Sequence, residues 1–192
     1  MIEQTLAPND RFVGLSRQKF RRYYQPSRIL LGVVPGPLES GVNVITLCFA
    51  MSCSYKPPMM AVAVQKDYFS NELFRECDDF VLAVPGESLA NETLFFGTKS
   101  GRDVDKVREC GITLLRSVHV KTLSIYDAIA NLECRKTAEI DLGDHTVFVG
   151  QVLRFNVDKT KHEKCLLSLG PDHGGYKLLA RKGIHRIGVV SD

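Results

Sequence analysis

Polar and apolar residues alternate over the second half of the chain and gather into short apolar runs over the first. Leu132, Cys134, Lys136, Ala138 and Ile140 alternate with Glu133, Arg135, Thr137, Glu139 and Asp141. That period of two predicts a strand with one wet face. Gly143-Asp144 reads as a hairpin-like turn, and residues 145–157 as the strand that follows it. Val147, Val149, Leu153, Phe155 and Val157 share one of its faces, and His145 opens that face at the turn end. Upstream, an apolar run over 28–34 ends at Pro35-Gly36-Pro37, and Pro85-Gly86 stops another at 80–84. Residues 42–49 are apolar on both faces apart from Asn43 and Thr46, which predicts a buried strand. Pro57-Pro58 breaks the chain before a further apolar strand at 59–64.

Helical periodicity is confined to a few inserts. Phe69, Leu73, Phe74 and Cys77 fall at i, i+4, i+5 and i+8, one face of a short helix. Two more helices are expected at 87–96 and 103–110, and a charged surface loop at 158–164. No repeat, linker or low-complexity stretch divides the chain. Many strands with few inserted helices point to a mainly β fold, a barrel with helical decoration. A doubly wound sheet is disfavoured because helices do not alternate regularly with strands.

Composition narrows this picture. A chain of 192 residues can bury a core as a single domain over 1–192. No apolar run approaches the roughly 20 residues of a membrane-spanning helix. The start, MIEQTLAPNDR, lacks the basic-then-apolar pattern of a secretory signal, so a cytoplasmic location without membrane association is expected. The six cysteines contain no CxxC pair, which favours reduced thiols over a metal site, and no metal is expected. A net charge of +3 does not by itself indicate nucleic acid, and no nucleic-acid partner is expected. Charge is unevenly placed, however. Arg17, Lys19, Arg21, Arg22 and Arg28 interleave with Phe20, Tyr23 and Tyr24 without an acid. Residues 1–27 read as an N-terminal basic arm that packs on the domain or on a partner subunit.

Hydrolytic and nucleotide-loop signatures (GxSxG, HExxH, a Walker loop, GxGxxG after a strand) are absent, so difficult chemistry would belong to a bound cofactor. Asp172-His173 sits in a Gly-Pro loop and reads as a turn. One segment, NVITLCFAMSCSYKPPMMAVAVQKDYFSNELF, supplies polar side chains where buried strands end and a helix begins. Ser52, Cys53 and Ser54 are expected just after a strand, in a turn with unpaired backbone amides. Lys66, Ser70 and Asn71 stand at the start of the following helix. A cation, a hydroxyl and orphan helix amides together suit a phosphate dianion. Ser70 has an alternative reading as a plain helix cap, and Lys66 as a solvated lysine. Asn43 and Thr46 are three apart, so a regular strand points them to opposite faces.

In this order, the NVIT and SCSYKPP run, the KDYFSNELFRECDDFVLAVP stretch, FFGTKSGRDVDKVRECG, ANLEC and GDHTVFVGQV resemble the flavin-reductase-like family of FMN-binding split barrels, the flavoredoxin-type members in particular. The resemblance spans roughly residues 28–157. It implies an FMN-binding split β-barrel that forms a homodimer with FMN near the dimer interface. It further implies that Asn43, Thr46, Phe49, Ser52, Cys53 and Ser54 line the ring and ribityl chain, and that Lys66, Ser70 and Asn71 approach the phosphate. Lys106 would close over the site. His145 would stand at the mouth where a nicotinamide stacks, as the catalytic residue. The expected function is an FMN-binding, NAD(P)H-dependent flavin reductase that takes NADH or NADPH and passes electrons to a free flavin, a metal complex or a redox partner protein. The alternatives are an FMN electron carrier without a nicotinamide site and a non-catalytic split-barrel binding module.

Overall fold

The computed structural model describes residues 13–171 and 174–191; Asp172-His173 and residues 1–12 of the basic arm lie outside the described residues. In chain order the elements are α1 (Arg17–Tyr24), β1 (Ser27–Arg28), β2 (Leu30–Pro35), β3 (Val42–Leu47), β4 (Ala50–Tyr55), β5 (Pro58–Gln65), α2 (Phe69–Glu76), β6 (Asp79–Val84), α3 (Ala90–Thr98) and α4 (Lys106–Glu109). They continue with β7 (Leu114–Leu115), β8 (Ser124–Ile125), β9 (Ala130–Leu142), β10 (His145–Val157), β11 (Leu167–Ser168), β12 (Tyr176–Lys182) and β13 (His185–Val190). A seven-stranded antiparallel sheet runs β3-β2-β6-β9-β10-β5-β4, and a four-stranded sheet runs β1-β11-β13-β12. The fold is mainly β with inserted helices, as the apolar pattern predicts.

β3 and β4 are consecutive in the chain yet lie at opposite edges of the large sheet. The sheet therefore curls until β3 returns to β5, leaving a barrel open along one seam. The interior is filled by aromatic rings. Phe74 of α2 packs at 5.3 Å from Phe80 and 5.1 Å from Phe148, ring centroid to ring centroid, and all three are fully buried. Gly150 makes room for them, because a Cβ there would stand 2.5 Å from Cζ of Phe80. Alternation on β3 serves two cores. Ile45 and Leu47 enter the barrel, whereas Val42 and Val44 pack with Phe96, Val107 and Ile125 beneath α3 and α4.

Several expectations need correction. Ser52, Cys53 and Ser54 do not form a turn after a strand; they lie within β4, where a bulge between Ser52 and Ser54 leaves Cys53 as the extra residue. The unpaired backbone groups expected of a turn belong instead to an edge strand. β9 is not wet along one face: Glu133 is fully buried, and the residues after Lys136 are exposed on both faces. Burial alone would raise the Glu133 pKa. The amides of His119 and Val118 and the Asn156 side chain outweigh it and hold the carboxylate below its usual range. On β10 the core takes the even positions, Thr146, Phe148, Gly150 and Val152, and leaves the apolar odd positions on the outer face of the sheet. On α2 the buried residues are Ser70, Asn71 and Phe74, with Phe69 and Leu73 only half-buried. The run at 28–34 is shared between sheets, since Ser27–Arg28 pairs with β11 and Leu30–Pro35 with β3 and β6.

The ring cluster is fully buried at the centre of the barrel, so Phe148→Ala is expected to destabilise the fold by about 3–5 kcal/mol, read as a lowered urea midpoint with little change in slope.

Candidate functional site

The segment from Gln65 to Asn71 joins β5 to α2 and organises the polar chemistry around the seam. The Lys66 amide donates to the Asp144 carbonyl at 3.0 Å, and the Tyr68 amide to the Gln65 carbonyl at 3.1 Å. Tyr68, the residue before α2, offers no side-chain cap. The first helical turn thus keeps orphan N–H groups and the positive end of the helix dipole. Asn43 Nδ2 donates to Ser70 Oγ at 2.8 Å, and Asn71 Nδ2 to the Val64 carbonyl at 2.9 Å. One bond ties α2 to β3 and the other ties it to β5. Both residues are buried, and Asn43 Oδ1 has no hydrogen-bond partner among the described residues. The backbone at Gly101 packs directly on that oxygen, and a Cβ there would overlap it.

This turn forms one wall of a cavity of about 630 Å³. Ile45 and Thr46 of β3 and Phe96 of α3 supply an apolar-to-hydroxyl wall, the loop after α3 covers another side, and the β12–β13 turn closes the end. Four cations line it, Lys99, Arg102, Lys106 and Lys182, together with His185; the lining includes one acid, Asp67. Two of the exposed cations are anchored. Arg102 pairs with Glu72 and lies over the Phe69 ring, and Lys182 Nζ donates to Thr98 Oγ1 at 3.3 Å. Thr46 Oγ1 donates to the Thr93 carbonyl at 2.5 Å, which fastens β3 to α3.

Lys106 is the least solvated of these cations, only 4% exposed. Its Nζ donates to the carbonyls of Phe96 and Lys99 at 3.2 and 3.4 Å, closing the C-terminal end of α3 where the dipole favours a positive charge. An ammonium has three donors, so one remains for a ligand in the cavity. Burial nevertheless depresses its pKa from 10.5 to about 8.

A second cluster lies on the other side of the 66–71 segment. His145 packs against Phe49, with ring centroids 5.4 Å apart, and its Nδ1 is 2.6 Å from Asp144 Oδ1. Lys66 Nζ is 3.8 Å from Asp141 Oδ1, at the same end of the β9–β10 hairpin. Of the residues named from sequence, Thr46, Ser70 and Lys106 line the cavity directly, and Asn43 stands behind Ser70. Asn71 is engaged with Val64 and Arg75. Phe49, Lys66 and His145 form the second cluster, and Ser52, Cys53 and Ser54 run away from it along the exposed edge strand. Asn43 and Thr46 do take opposite faces of β3, the first toward α2 and the second toward α3. Lys99, Arg102, Lys182 and His185 were missed. The first two sit in the TKSGRD stretch beside Lys106, where a local excess of cations was the available signal. Lys182 and His185 flank a hairpin turn at Gly183 (φ 56°), and nothing in that stretch of sequence says which cavity it closes.

A split antiparallel barrel whose seam is plugged by an uncapped helix beside a cationic cavity is a scaffold for a phosphate-bearing ligand. The chain belongs to the family described as flavin reductase like domain, whose model matches residues 23–177. A Pyrococcus abyssi protein whose name assigns no activity is 35% identical over 142 residues, covering 74% of this chain and 80% of its own. The protein named FMN reductase (NADH) SmoA from Agrobacterium fabrum is 26% identical over 161 residues, covering 80% and 86%. Among solved structures, flavoredoxin from Methanosarcina acetivorans superposes with a TM-score of 0.70 at 22% identity, covering 99% of this chain and 92% of that one. At that identity the match speaks for the fold.

The Lys106 geometry carries a pH signature. The folded protein releases this proton near pH 8 and the unfolded chain holds it to about 10.5, so between those values the unfolded state binds more protons. Stability contributed at this site therefore rises with pH across that window. The difference in unfolding free energy between wild type and Lys106→Met is expected to change by up to about 3 kcal/mol from pH 8 to 10.5, measured by urea titration at several pH values.

Proposed function

We propose that this protein is an FMN-binding oxidoreductase that oxidises NADH or NADPH and passes the electrons to a free flavin, a metal complex or a protein acceptor. The observation that carries this reading is the convergence of the uncapped α2 turn, the Ser70 hydroxyl and four cations on a cavity with an apolar wall, in a chain of the flavin reductase like family. The donor set fits a flavin phosphate. Ser70, Lys106 and Arg102 would hold the phosphate, with Lys99 and Lys182 adding charge. Asn43 orients the Ser70 hydroxyl by donating to its Oγ, while its own Oδ1 is covered by the Gly101 backbone. Bound FMN supplies two-electron acceptance from a nicotinamide and onward delivery of the electrons.

The chain's own residues divide the remaining work. Phe49 presents a flat apolar surface 43% exposed beside His145. His145 is fixed by Asp144, whose carboxyl that hydrogen bond holds below its usual range. A ring so held can position a stacked nicotinamide without itself exchanging a proton, and positioning is the main requirement of this transfer. Lys66 borders the same corner, near Asp141 at the end of the β9–β10 hairpin.

A homodimer fits the outer face of the large sheet. Val147 and Val149 of β10 lie opposite Ile140 and Ala138 on β9 and Ala63 and Ala61 on β5, and Met51 of β4 lies opposite Ala61. Ile140, Met51 and Leu142 are each half or more exposed there. A continuous apolar sheet face of this kind favours a self-complementary partner. Val147→Asp is expected to convert the dimer to a monomer, measured by light scattering; an unchanged mass would place the interface elsewhere.

The central test is an anaerobic titration of the FMN-loaded protein. NADH or NADPH is expected to bleach the flavin absorbance rapidly. Bleaching by dithionite alone would favour an electron carrier of the flavoredoxin kind, and failure to take up FMN would sink both. Ser70→Ala combined with Lys106→Met should weaken FMN binding by roughly 100-fold. His145→Ala should slow nicotinamide-dependent reduction on the order of tenfold while changing FMN affinity less.

A further inference from the structure

A second cavity, of about 600 Å³, opens between α1, the segment around Leu169 and the β12–β13 turn. Lys19, Arg21 and Arg186 line it, and none of the three forms an ion pair with a described residue. Arg22 contributes a further charge. Leu15, Ile184 and the Tyr23 ring make its apolar surface. Gln25 also lines it, and Gln25 Oε1 is buried without a donor among the described residues. The Arg21 and Arg186 guanidinium groups and the Lys19 ammonium, gathered around a concave apolar surface, suit phosphate attached to a flat ring, and an unfilled amide acceptor suits a ribose hydroxyl.

The position links this cleft to the flavin site. Ile184 lines both cavities. On β13, His185 lines the first cavity and the adjacent Arg186 the second. At one end of α1, Arg17 adds to the electrostatic hold on Asp144, which is set mainly by His145. Further along the helix, Arg21 acts on the Cys48 thiol, next in the chain to Phe49. A ligand with one end at the Phe49–His145 corner thus has a cationic cleft beside it for its other end.

Building on the oxidoreductase reading, we infer that the cleft between α1 and the β12–β13 turn binds the adenosine-phosphate end of the nicotinamide reductant, and that its concentration of cations favours the extra 2′-phosphate of NADPH. α1 and the C-terminal hairpin are then specificity elements for the reductant, while the α2 cavity holds the flavin phosphate.

Calorimetric titration with 2′,5′-ADP and with 5′-AMP tests this without any flavin chemistry. The expected result is 2′,5′-ADP binding at least about tenfold tighter than 5′-AMP, weakened by about tenfold or more in Lys19→Ala/Arg186→Ala. The same double variant should raise KM for NADPH more than it lowers kcat, with an unchanged thermal midpoint showing that it folds. Absence of 2′,5′-ADP binding, or binding unchanged in the double variant, overturns the assignment of the cleft; equal affinity for the two probes overturns the preference for NADPH. A protein that takes up no FMN but still binds 2′,5′-ADP through Lys19 and Arg186 would support the cleft while refuting the oxidoreductase reading.

Discussion

The first turn of α2 is fastened to the strands on either side of an open seam, and the barrel core and the cavity beside it both follow from that attachment. Asn71 bonds the Val64 carbonyl on β5, and Ser70 receives Asn43 from β3. Lys136 closes the other end of the helix by donating to the carbonyls of Phe74 and Arg75 at 3.0 and 2.6 Å. With both ends held, Phe74 is driven into the barrel against Phe80 and Phe148. A sheet that fails to close leaves unpaired edges. Here the helix covers the opening with side-chain amides rather than a further strand, and its orphan N–H groups are left pointing at a cavity instead of at a ladder.

The electrostatics follow from that choice. The chain as a whole carries only +3, yet four cations from the 99–106 segment and the β12–β13 turn line one cavity. Such a concentration costs free energy unless an anion or carbonyl groups offset it. Lys106 shows both sides of that balance. Carbonyls at the end of α3 partly stabilise its charge, while burial lowers its pKa to about 8. The Lys106 charge is thus held between carbonyls that stabilise it and burial that tends to remove its proton.

The 66–71 segment also separates two kinds of surface. On one side lie Ser70 and the cationic cavity, on the other Lys66, Phe49 and His145. Beyond His145 the outer sheet face is apolar, with Val147 half-buried and Ile140 and Met51 exposed. The period-two pattern on β10 thus has two uses. Its even residues build the barrel core, and its odd residues build a face that water leaves poorly satisfied.

Much of this was legible from residue order. Alternation and Pro-Gly punctuation marked the strands, because side-chain direction in a strand is a local property of the backbone. The three-residue spacing of Asn43 and Thr46 already required opposite faces, and the structure sends one to α2 and the other to α3. Ser70 was recognisable as a site candidate because a helix start carries local chemistry, whereas Lys106 was implied only by the family resemblance. Other features had no local signature. Glu133 looked solvent-facing by alternation, and only the loop amides of Val118 and His119 make it a buried anchor. Ser52–Ser54 looked like a turn, because edge pairing with β5 depends on strands far along the chain. Lys182 and His185 reach the cavity only because a C-terminal hairpin folds back across α3. The mainly β character, the strand and helix inserts and the polar 66–71 junction could be read from residue order alone, since these rest on periodicity and short-range backbone preference. Which cations share a cavity and which strand face meets water emerged with the folded chain, since both depend on contacts between segments that sequence distance does not encode.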